Sequence, residues 1–375
     1  MNGFRIGRIL GFTIRVDFSW FIVFFLILWT FSVAVFPRQV PNLSTPVYLA
    51  MAVTATVIFF SSLLAHELSH SIVARRRGIR VEGITLFIFG GVAQTHGEPE
   101  TAQDEFAIAG IGPLTSVAIG ILLIGAGYLL NQAGASRAVT AVLGYTGVLN
   151  IILAVFNLMP GFPLDGGRLF RAFVWKITGD PRRATRIASA AGSAFGFLLV
   201  ALGFLQVFQG ALVGGLWLVF IGWFLRNAAI ASWRHYLVKQ ALQGVRAEQV
   251  MSRNPVTVPP DLSLEELTNE YLLRQKYVVY PVLDGGTSPI GVIGLAQVRE
   301  VPREEWSKRR VRDTMTPVDE TNTVRSDDDV DRVMDRLSQS SLKRVLVVDD
   351  GELVGIISPV DIAQWLERTR LPEAG

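Results

Sequence analysis

The sequence predicts a multi-pass α-helical membrane protein with six transmembrane helices and a re-entrant β hairpin, followed by a soluble α/β domain. Half of the 375 residues are hydrophobic and only 18% are charged, which is too apolar for an ordinary soluble enzyme. The charge is also uneven, because residues 16–236 hold long uncharged runs whereas residues 246–375 are rich in acidic and basic side chains. This asymmetry indicates a membrane part followed by a soluble part.

Apolar runs of about 20 residues, the length that crosses a bilayer as a helix, recur along the first part of the chain. An even number of such spans puts both chain termini on the same side of the membrane. We place the six predicted spans at residues 16–36, 47–74, 106–130, 138–159, 184–206 and 211–232.

Two further stretches of the membrane part favour β structure. Residues 1–15 alternate apolar and basic side chains around glycines, which predicts a short strand or hairpin at the membrane surface. Residues 84–95 are apolar but too short to span as a helix, and Gly90 and Gly91 stand at their centre. We interpret them as a re-entrant β hairpin whose backbone is satisfied by protein or by a water-filled cavity. The alternative is an amphipathic surface strand.

The arginines predict the orientation, since cytoplasmic loops of membrane proteins carry an excess of Lys and Arg. Basic residues precede the first span and follow the second and fourth spans, whereas the opposite loops hold only Arg38 and Arg137. We therefore expect a protein of the cell membrane with its N- and C-termini in the cytoplasm. The pI of about 9.3 reflects these flanking arginines, so no nucleic-acid partner is predicted. The lack of cysteine in the sequence excludes disulfides and thiolate metal ligands.

The candidate chemistry lies in the second span, where residues 66–70 read H-E-L-S-H. Residues four apart on a helix lie one above the other, so His66 and His70 present two imidazoles to one point, with Glu67 beside them. Such a pair can hold a zinc ion, and the neighbouring carboxylate can remove a proton from water that the metal acidifies. A chance pair of histidines is the alternative, but ionisable side chains inside a membrane are costly and usually functional.

A catalytic zinc needs a third protein ligand and an open position. The acidic and imidazole side chains considered for this role are Glu82, His96, Glu98, Glu100 and Asp165. Asp165 is favoured because it follows the fourth span at the same cytoplasmic level as the H-E-x-x-H motif, and the prolines before it break the helix. Its alternative role is that of a helix N-cap. Asn157, near the end of the fourth span, is predicted either to pack between helices or to donate to a developing oxyanion.

The H-E-L-S-H motif, together with N-L-M-P-G-F-P-L-D-G-G-R at residues 157–168, resembles the site-2 proteases, which are zinc intramembrane metalloproteases. Further matching stretches are F-G-G-V-A at 89–93 and G-P-L-T-S at 112–116. The resemblance implies Zn2+ bound by His66, His70 and Asp165. It also implies Glu67 as the catalytic base and Asn157 near the scissile carbonyl. The implied reaction is hydrolysis of a peptide bond within or near the transmembrane segment of a membrane-protein substrate.

The soluble part contains two copies of one unit, each with a Pro-containing turn, an acidic-capped helix, two apolar strands and a final helix. They resemble a pair of cystathionine-β-synthase (CBS) domains, a module that commonly binds adenine nucleotides such as ATP, ADP or AMP and that is expected here to regulate the protease. Ser358 and Asp361 match the family's ribose-binding pattern, whereas the first repeat has Gly294 and Gln297 at those places. A module that only assembles a homodimer is the alternative.

We therefore expect a transmembrane metalloprotease domain over residues 1–236, a linker over 237–245, a first CBS repeat over 246–304 and a second over 308–370. A membrane channel or transporter gated by the CBS pair would use the same spans and tail, but it leaves the H-E-x-x-H and L-D-G motifs unexplained. A membrane receptor that has kept the motifs without activity is a third interpretation. Zinc in the purified protein would separate the protease from the channel.

Overall fold

The fold is that of a computed structural model, which describes residues 3–88, 90–340 and 342–370, apart from the side chains of His96 and Arg370. The chain divides into two compact units, Met1–Tyr236 and Leu237–Gly375. Apolar side chains are buried in separate clusters within each unit, so each has a core of its own.

The first unit is mainly helical, and its described part contains six helices long and apolar enough to cross a membrane. This number confirms the predicted count. The first span runs continuously over Phe18–Gln39 because a π-helical turn, Phe31–Val35, joins its two α-helical parts. The helices are α1 (Phe18–Thr30), α2 (Phe36–Gln39), α3 (Thr45–Arg76), α4 (Ala102–Gln132), α5 (Arg137–Asn157), α6 (Asp165–Thr178), α7 (Pro181–Phe208) and α8 (Leu212–Leu242).

Polar side chains mark where several of these helices begin. Thr101 accepts a hydrogen bond from the backbone N–H of Asp104 at the start of α4, and Asp180 accepts from two backbone N–H groups at the start of α7. These caps satisfy amides that have no partner inside the helix. These two spans therefore begin where a capping residue precedes the apolar run.

The helix α6 lies in residues 160–183, which the six predicted spans leave unassigned. It follows Pro163 and ends against Gly179, whose φ of 68° lies in the left-handed region that favours glycine. One face of α6 buries Arg171 and Ala172. The chain therefore turns back after the fourth span and places a short helix beside the site described below.

A four-stranded sheet accompanies the helices of the first unit, in the order β1 (Gly3–Ile9), β2 (Phe12–Asp17), β3 (Arg80–Phe87) and β4 (Gly90–His96). The pair β2 and β3 is parallel and the other pairs are antiparallel. The predicted hairpin is present, but it begins at Arg80 and shares one sheet with the N-terminal hairpin. Buried side chains of β2 and β3 pack on a face of α3 that includes Leu64, Leu68 and Ile72. Within the described residues, β4 is an edge strand.

The second unit is α/β, as predicted. Its helices are α9 (Ala247–Val250), α10 (Leu264–Glu266), α11 (Leu295–Glu300), α12 (Val330–Gln339) and α13 (Pro359–Arg370). Its strands are β5 (Ser252–Arg253), β6 (Val279–Leu283), β7 (Pro289–Gly294), β8 (Thr316–Pro317), β9 (Thr323–Val324), β10 (Val345–Asp349) and β11 (Glu352–Ile357).

The two repeats of the second unit exchange their first strands. The sheet of the second repeat has the order β5-β11-β10-β9, and the sheet of the first repeat has the order β6-β7-β8. Each short strand at the start of one repeat therefore completes the sheet of the other. The segment 237–245, expected to be a linker, is helical as far as Leu242, and Leu242 and Val245 are buried in the core of the second repeat.

Candidate metal centre and active site

The described part of the chain contains one group of side chains that could hold a metal ion, formed by His66, His70 and Asp165. The two histidines lie one turn apart on α3, and their Nε2 atoms are 3.1 Å apart. Asp165, the first residue of α6, places its Oδ2 atom 3.0 Å from Nε2 of His66 and 3.2 Å from Nε2 of His70. Three donor atoms from two helices thus form a nearly equilateral triangle.

This triangle has the dimensions of one face of a tetrahedral zinc site. Ligand atoms about 2.0–2.2 Å from a tetrahedral zinc lie roughly 3.3 Å from one another. Gly112 of α4 lies against the same point, since a Cβ atom there would meet Nε2 of His70 and would lie 2.6 Å from Nε2 of His66. Glycine at position 112 therefore leaves a space beside the triangle that any larger residue would fill. His66, His70 and Asp165 fit a zinc ion.

The outer nitrogens of both imidazoles are held by α4. Nδ1 of His70 donates to the carbonyl oxygen of Ile108 at 2.6 Å, and Nδ1 of His66 lies 2.9 Å from Oγ of Ser116. A proton on Nδ1 leaves the lone pair of Nε2 for a metal; the carbonyl fixes this tautomer for His70, and both partners fix the ring orientations. The histidines are therefore arranged as ligands before any ion arrives.

Asp165 reaches the histidines because the chain before α6 folds tightly onto its first turn. A Cβ atom at Gly166 would meet the backbone of Leu158, and one at Gly167 would meet the backbone of Gly161. The N-cap position of α6 belongs to Leu164, so the structure does not use Asp165 as the N-cap. Burial alone would raise the pKa of the Asp165 carboxyl, but the two histidines beside it hold that pKa well below its usual range.

Glu67 lies beside the triangle and against the β hairpin. A Cβ atom at Gly91 of β4 would lie 2.5 Å from Cγ of Glu67 and 2.7 Å from its Cδ, so the strand backbone approaches the carboxyl group closely. Glu67, Gly91 and the three candidate ligands line one cavity of about 550 Å³. The hairpin predicted at residues 84–95 therefore forms a wall of the site.

The remaining walls of this cavity come from α5, α6 and α8. Asn157, the last residue of α5, lines the cavity, as does Arg168 of α6. Helix α8 contributes apolar side chains, which include Trp217, Ile221 and Phe224. The cavity thus combines a polar end, which holds the candidate ligands, with an apolar wall.

Of the other third-ligand candidates, Glu98 lines the same cavity but belongs to no metal-capable group among the described residues. Glu82 and Glu100 likewise belong to no such group there. The side chain of His96 lies outside the described residues, and so does Phe89 of the F-G-G-V-A stretch.

Comparison with known proteins agrees with this geometry. The chain matches Peptidase family M50 over residues 54–134 and 128–202, and the CBS domain over residues 247–304 and 311–368. Rip3 of Mycobacterium tuberculosis, which its name assigns to the zinc metalloproteases, is 35% identical over 98% of this chain and 94% of its own length. The chain belongs to the site-2 protease family, in the branch with a CBS pair.

Two further comparisons are with proteins from Methanocaldococcus jannaschii, one by sequence and one by solved structure. The zinc metalloprotease MJ0392 is 33% identical over 84% of this chain and 86% of its own length. A solved site-2 protease from the same organism is 27% identical, covers 62% of this chain and 95% of its own chain, and superposes with a TM-score of 0.43.

The second unit of this site-2 protease has a cleft of about 310 Å³, which contains both predicted nucleotide-binding residues, Ser358 and Asp361. The Asp361 carboxylate accepts hydrogen bonds from Oγ of Ser252 at 2.6 Å and from Oγ of Ser358 at 2.5 Å. Three basic side chains, Arg253, Lys276 and Arg344, line the same cleft. The structure therefore brings the two predicted residues together beside cationic groups that suit phosphates.

No contact with the metal centre was predicted for Gly112, Ser116 or Gly91. All three lie in the G-P-L-T-S and F-G-G-V-A stretches, which were noted for their family resemblance and, in the case of Gly91, as the centre of the predicted hairpin. A glycine before a proline inside an apolar helix was the available signal for Gly112, since both residues weaken a helix and need a compensating reason. The hydrogen bond between Ile108 and His70 could not be predicted from the sequence, because it uses the backbone carbonyl of Ile108 and not its side chain.

Proposed function

We propose that this site-2 protease is an intramembrane endopeptidase that hydrolyses a peptide bond within or near the transmembrane segment of a membrane-protein substrate. The observation that carries the proposal is the triangle of donor atoms from His66, His70 and Asp165, which lies among apolar helices with Glu67 on the same cavity. His66, His70 and Asp165 would hold the zinc ion. Bound zinc supplies a Lewis acid that polarises a carbonyl and makes water easier to deprotonate.

The chain's own residues then move the protons. Glu67 accepts a proton from the attacking water and passes it to the leaving nitrogen, which is the usual role of a carboxylate beside a metal site. Asn157, on the same cavity, donates its amide hydrogen to the carbonyl oxygen as negative charge develops there. The Gly91 backbone packed against Glu67 limits the positions that the carboxyl group can adopt.

The substrate has to be unwound before it can be cut. A transmembrane helix hides its peptide bonds in its own hydrogen bonds, and an unwound strand inside the membrane needs new partners. The edge strand β4 lines the cavity at Gly90, Gly91 and Val92 and can supply those partners by β-augmentation. We therefore assign β4 the role of holding the substrate in an extended conformation beside the metal centre.

The distribution of arginines supports an orientation with both termini in the cytoplasm. Because the sequence has no cysteine, the orientation can be tested with single introduced cysteines. Asn42→Cys should react with an impermeant thiol reagent in intact cells, whereas Gln243→Cys should react only after lysis. The reverse pattern would contradict the orientation.

The CBS pair is proposed to regulate the protease by binding ATP, ADP or AMP, with Ser358 and Asp361 at the ribose. The division into residues 1–236, 237–245, 246–304 and 308–370 belongs to the same proposal. Helix α8 supplies side chains to the cavity of the first unit, and Leu242 at its end is buried in the core of the second unit. A nucleotide can change cleavage only through its different affinities for two states, typically about 1–3 kcal/mol of coupling.

Glu67→Gln tests the proposed reaction, because it removes the base and keeps the side-chain volume. We expect the purified variant to retain its zinc and to cleave a membrane substrate at least about 100-fold more slowly, the usual contribution of a general base. A Glu67→Gln protein that cleaves at the wild-type rate would show that the proposed mechanism is wrong. A wild-type protein that carries no zinc would favour a channel or transporter instead.

A further inference from the structure

Arg171 is a buried charged side chain that the proposed chemistry does not use. It lies on α6 six residues after Asp165, about 9 Å along the helix axis, and only 8% of it is exposed. Its Nη1 atom donates to Oε1 of Glu105 at 2.7 Å, and its Nε atom donates to Oγ1 of Thr185 at 2.7 Å. One guanidinium group therefore joins α6 to both α4 and α7.

Glu105, the partner of Arg171, lies next to the group that orients His70. It is 1% exposed and stands in the first turn of α4, three residues before Ile108. The Ile108 carbonyl accepts the hydrogen bond from Nδ1 of His70. The Glu105–Arg171 pair thus connects the helix that carries Asp165 with the helix turn that holds a histidine ligand.

The buried Glu105–Arg171 ion pair is not expected to add much to the stability of the fold. Desolvating two charges costs several kcal/mol, and well-packed apolar residues in their place are often as stable or more so. Oε2 of Glu105 is buried and has no hydrogen-bond partner in the described part of the chain, which adds to the cost. The planar guanidinium group of Arg171, however, holds its N–H donors in a rigid arrangement, so it fixes the distance and direction between α6 and the helices α4 and α7.

We propose that Glu105 and Arg171 are positioning residues that hold α6 against α4 and thereby keep Asp165 at zinc-binding distance from His66 and His70. This inference rests on the proposed zinc site. The Oδ2 atom of Asp165 lies 3.0 Å from Nε2 of His66 and 3.2 Å from Nε2 of His70. Because metal–ligand distances tolerate changes of only about 0.2 Å, a small shift of α6 would remove the third ligand from the triangle.

The test is the zinc affinity of the full-length protein, measured by competition with a chelator, together with its thermal unfolding temperature. The double variant E105L/R171M replaces the ion pair by apolar side chains. We expect it to fold with an unchanged or higher unfolding temperature and to bind zinc about tenfold more weakly or worse, as for other groups that orient metal ligands. Wild-type zinc affinity in a folded double variant would overturn the inference.

A second variant covers the case in which the double variant does not fold. Arg171→Lys keeps the positive charge beside Glu105, but an ammonium group cannot reproduce the fork that reaches both Glu105 and Thr185. It should also weaken zinc binding while the protein stays folded, and an unchanged affinity would overturn the inference.

Arg77→Met is the matched control. Nη1 of Arg77 lies 2.6 Å from Oδ1 of Asp104, the neighbour of Glu105 on α4, and forms a salt bridge with it. This pair is not buried, because 46% of the Arg77 side chain is exposed. Its loss should leave zinc affinity unchanged. An equal loss of affinity in this control would overturn the inference by showing that any disturbance at the start of α4 releases the metal. Failure of the wild-type protein itself to bind zinc would contradict the proposed function instead.

Discussion

Two aspartates, one in each unit, lie in the first turn of a helix that borders a cavity, yet their carboxylates are used differently. Asp165 in α6 directs Oδ2 towards two imidazole nitrogens on another helix. Asp361 in α13 accepts three hydrogen bonds from within its own module, from Oγ of Ser252 and from both Oγ and the backbone N–H of Ser358. The first carboxylate is presented to a ligand, whereas the second already has protein partners.

This difference indicates how each site responds to its ligand. In the metal centre, the positions of the ligand atoms, the ring orientations and the free space are all set by the protein, so an ion needs little rearrangement to bind. In the CBS cleft, a ribose would have to compete with Ser252 and Ser358 for Asp361. We therefore expect tight zinc binding and weaker, more easily reversed nucleotide binding, which suits a permanent cofactor and a regulatory ligand respectively.

Two substitutions test regions outside the metal triangle, and the one in β4 is expected to have the larger effect, on cleavage of the substrate. Val92→Pro removes a backbone N–H from the edge strand, and proline is poorly accepted in paired strands. If β4 holds the substrate, cleavage should fall by at least about tenfold, the effect of one or two lost hydrogen bonds, while bound zinc stays constant. Val92→Ala, which keeps the N–H, is the control and should cleave normally. Equal loss of zinc and cleavage would show that the hairpin only supports the metal centre.

The substitution expected to have the smaller effect is at Asp361, and it concerns nucleotide binding. Asp361→Ala should weaken binding of an adenine nucleotide to the full-length protein by about tenfold or less, because the lost ribose contact is partly offset by the internal hydrogen bonds no longer in competition. It should also change the effect of nucleotide on cleavage. Titration calorimetry measures the binding, with Gln297→Ala in the first repeat as the control. No binding to the wild-type protein at millimolar nucleotide would indicate a module that only assembles a homodimer.

The features predicted well from the sequence are those with a strong local pattern. Long apolar runs gave six spans, and the spacing of His66 and His70 predicted two side chains at one point, as their Nε2 separation of 3.1 Å shows. The CBS repeats were visible because the same order of turns, helices and strands occurs twice. In each case the pattern that determines the structure lies within one continuous stretch of the chain.

The features that could not be predicted depend on contacts between distant segments. The parallel pairing of β2 with β3 joins residues about 70 positions apart, with Ile14 opposite Ile84, and no local pattern specifies it. The exchange of β5 and β8 between the repeats has the same character. Helix α6 was considered only as the helix that Asp165 would cap in its alternative role, because its short amphipathic pattern follows two prolines. The contact between Glu105 and Arg171 spans 66 positions and becomes visible only when α4 and α6 pack together.

The most direct test of the metal centre uses the space beside Gly112. Gly112→Ala would place a methyl group against the Nε2 atoms of both His66 and His70, whereas Gly125→Ala on the same helix adds a methyl group that meets no atom outside its own stretch of helix within 4 Å among the described residues. The zinc content of the two purified variants, measured by atomic emission, compares them under identical conditions. We predict that Gly125→Ala retains zinc as the wild-type protein does and that Gly112→Ala loses it. A full complement of zinc in Gly112→Ala would contradict the placement of the ion between His66, His70 and Asp165.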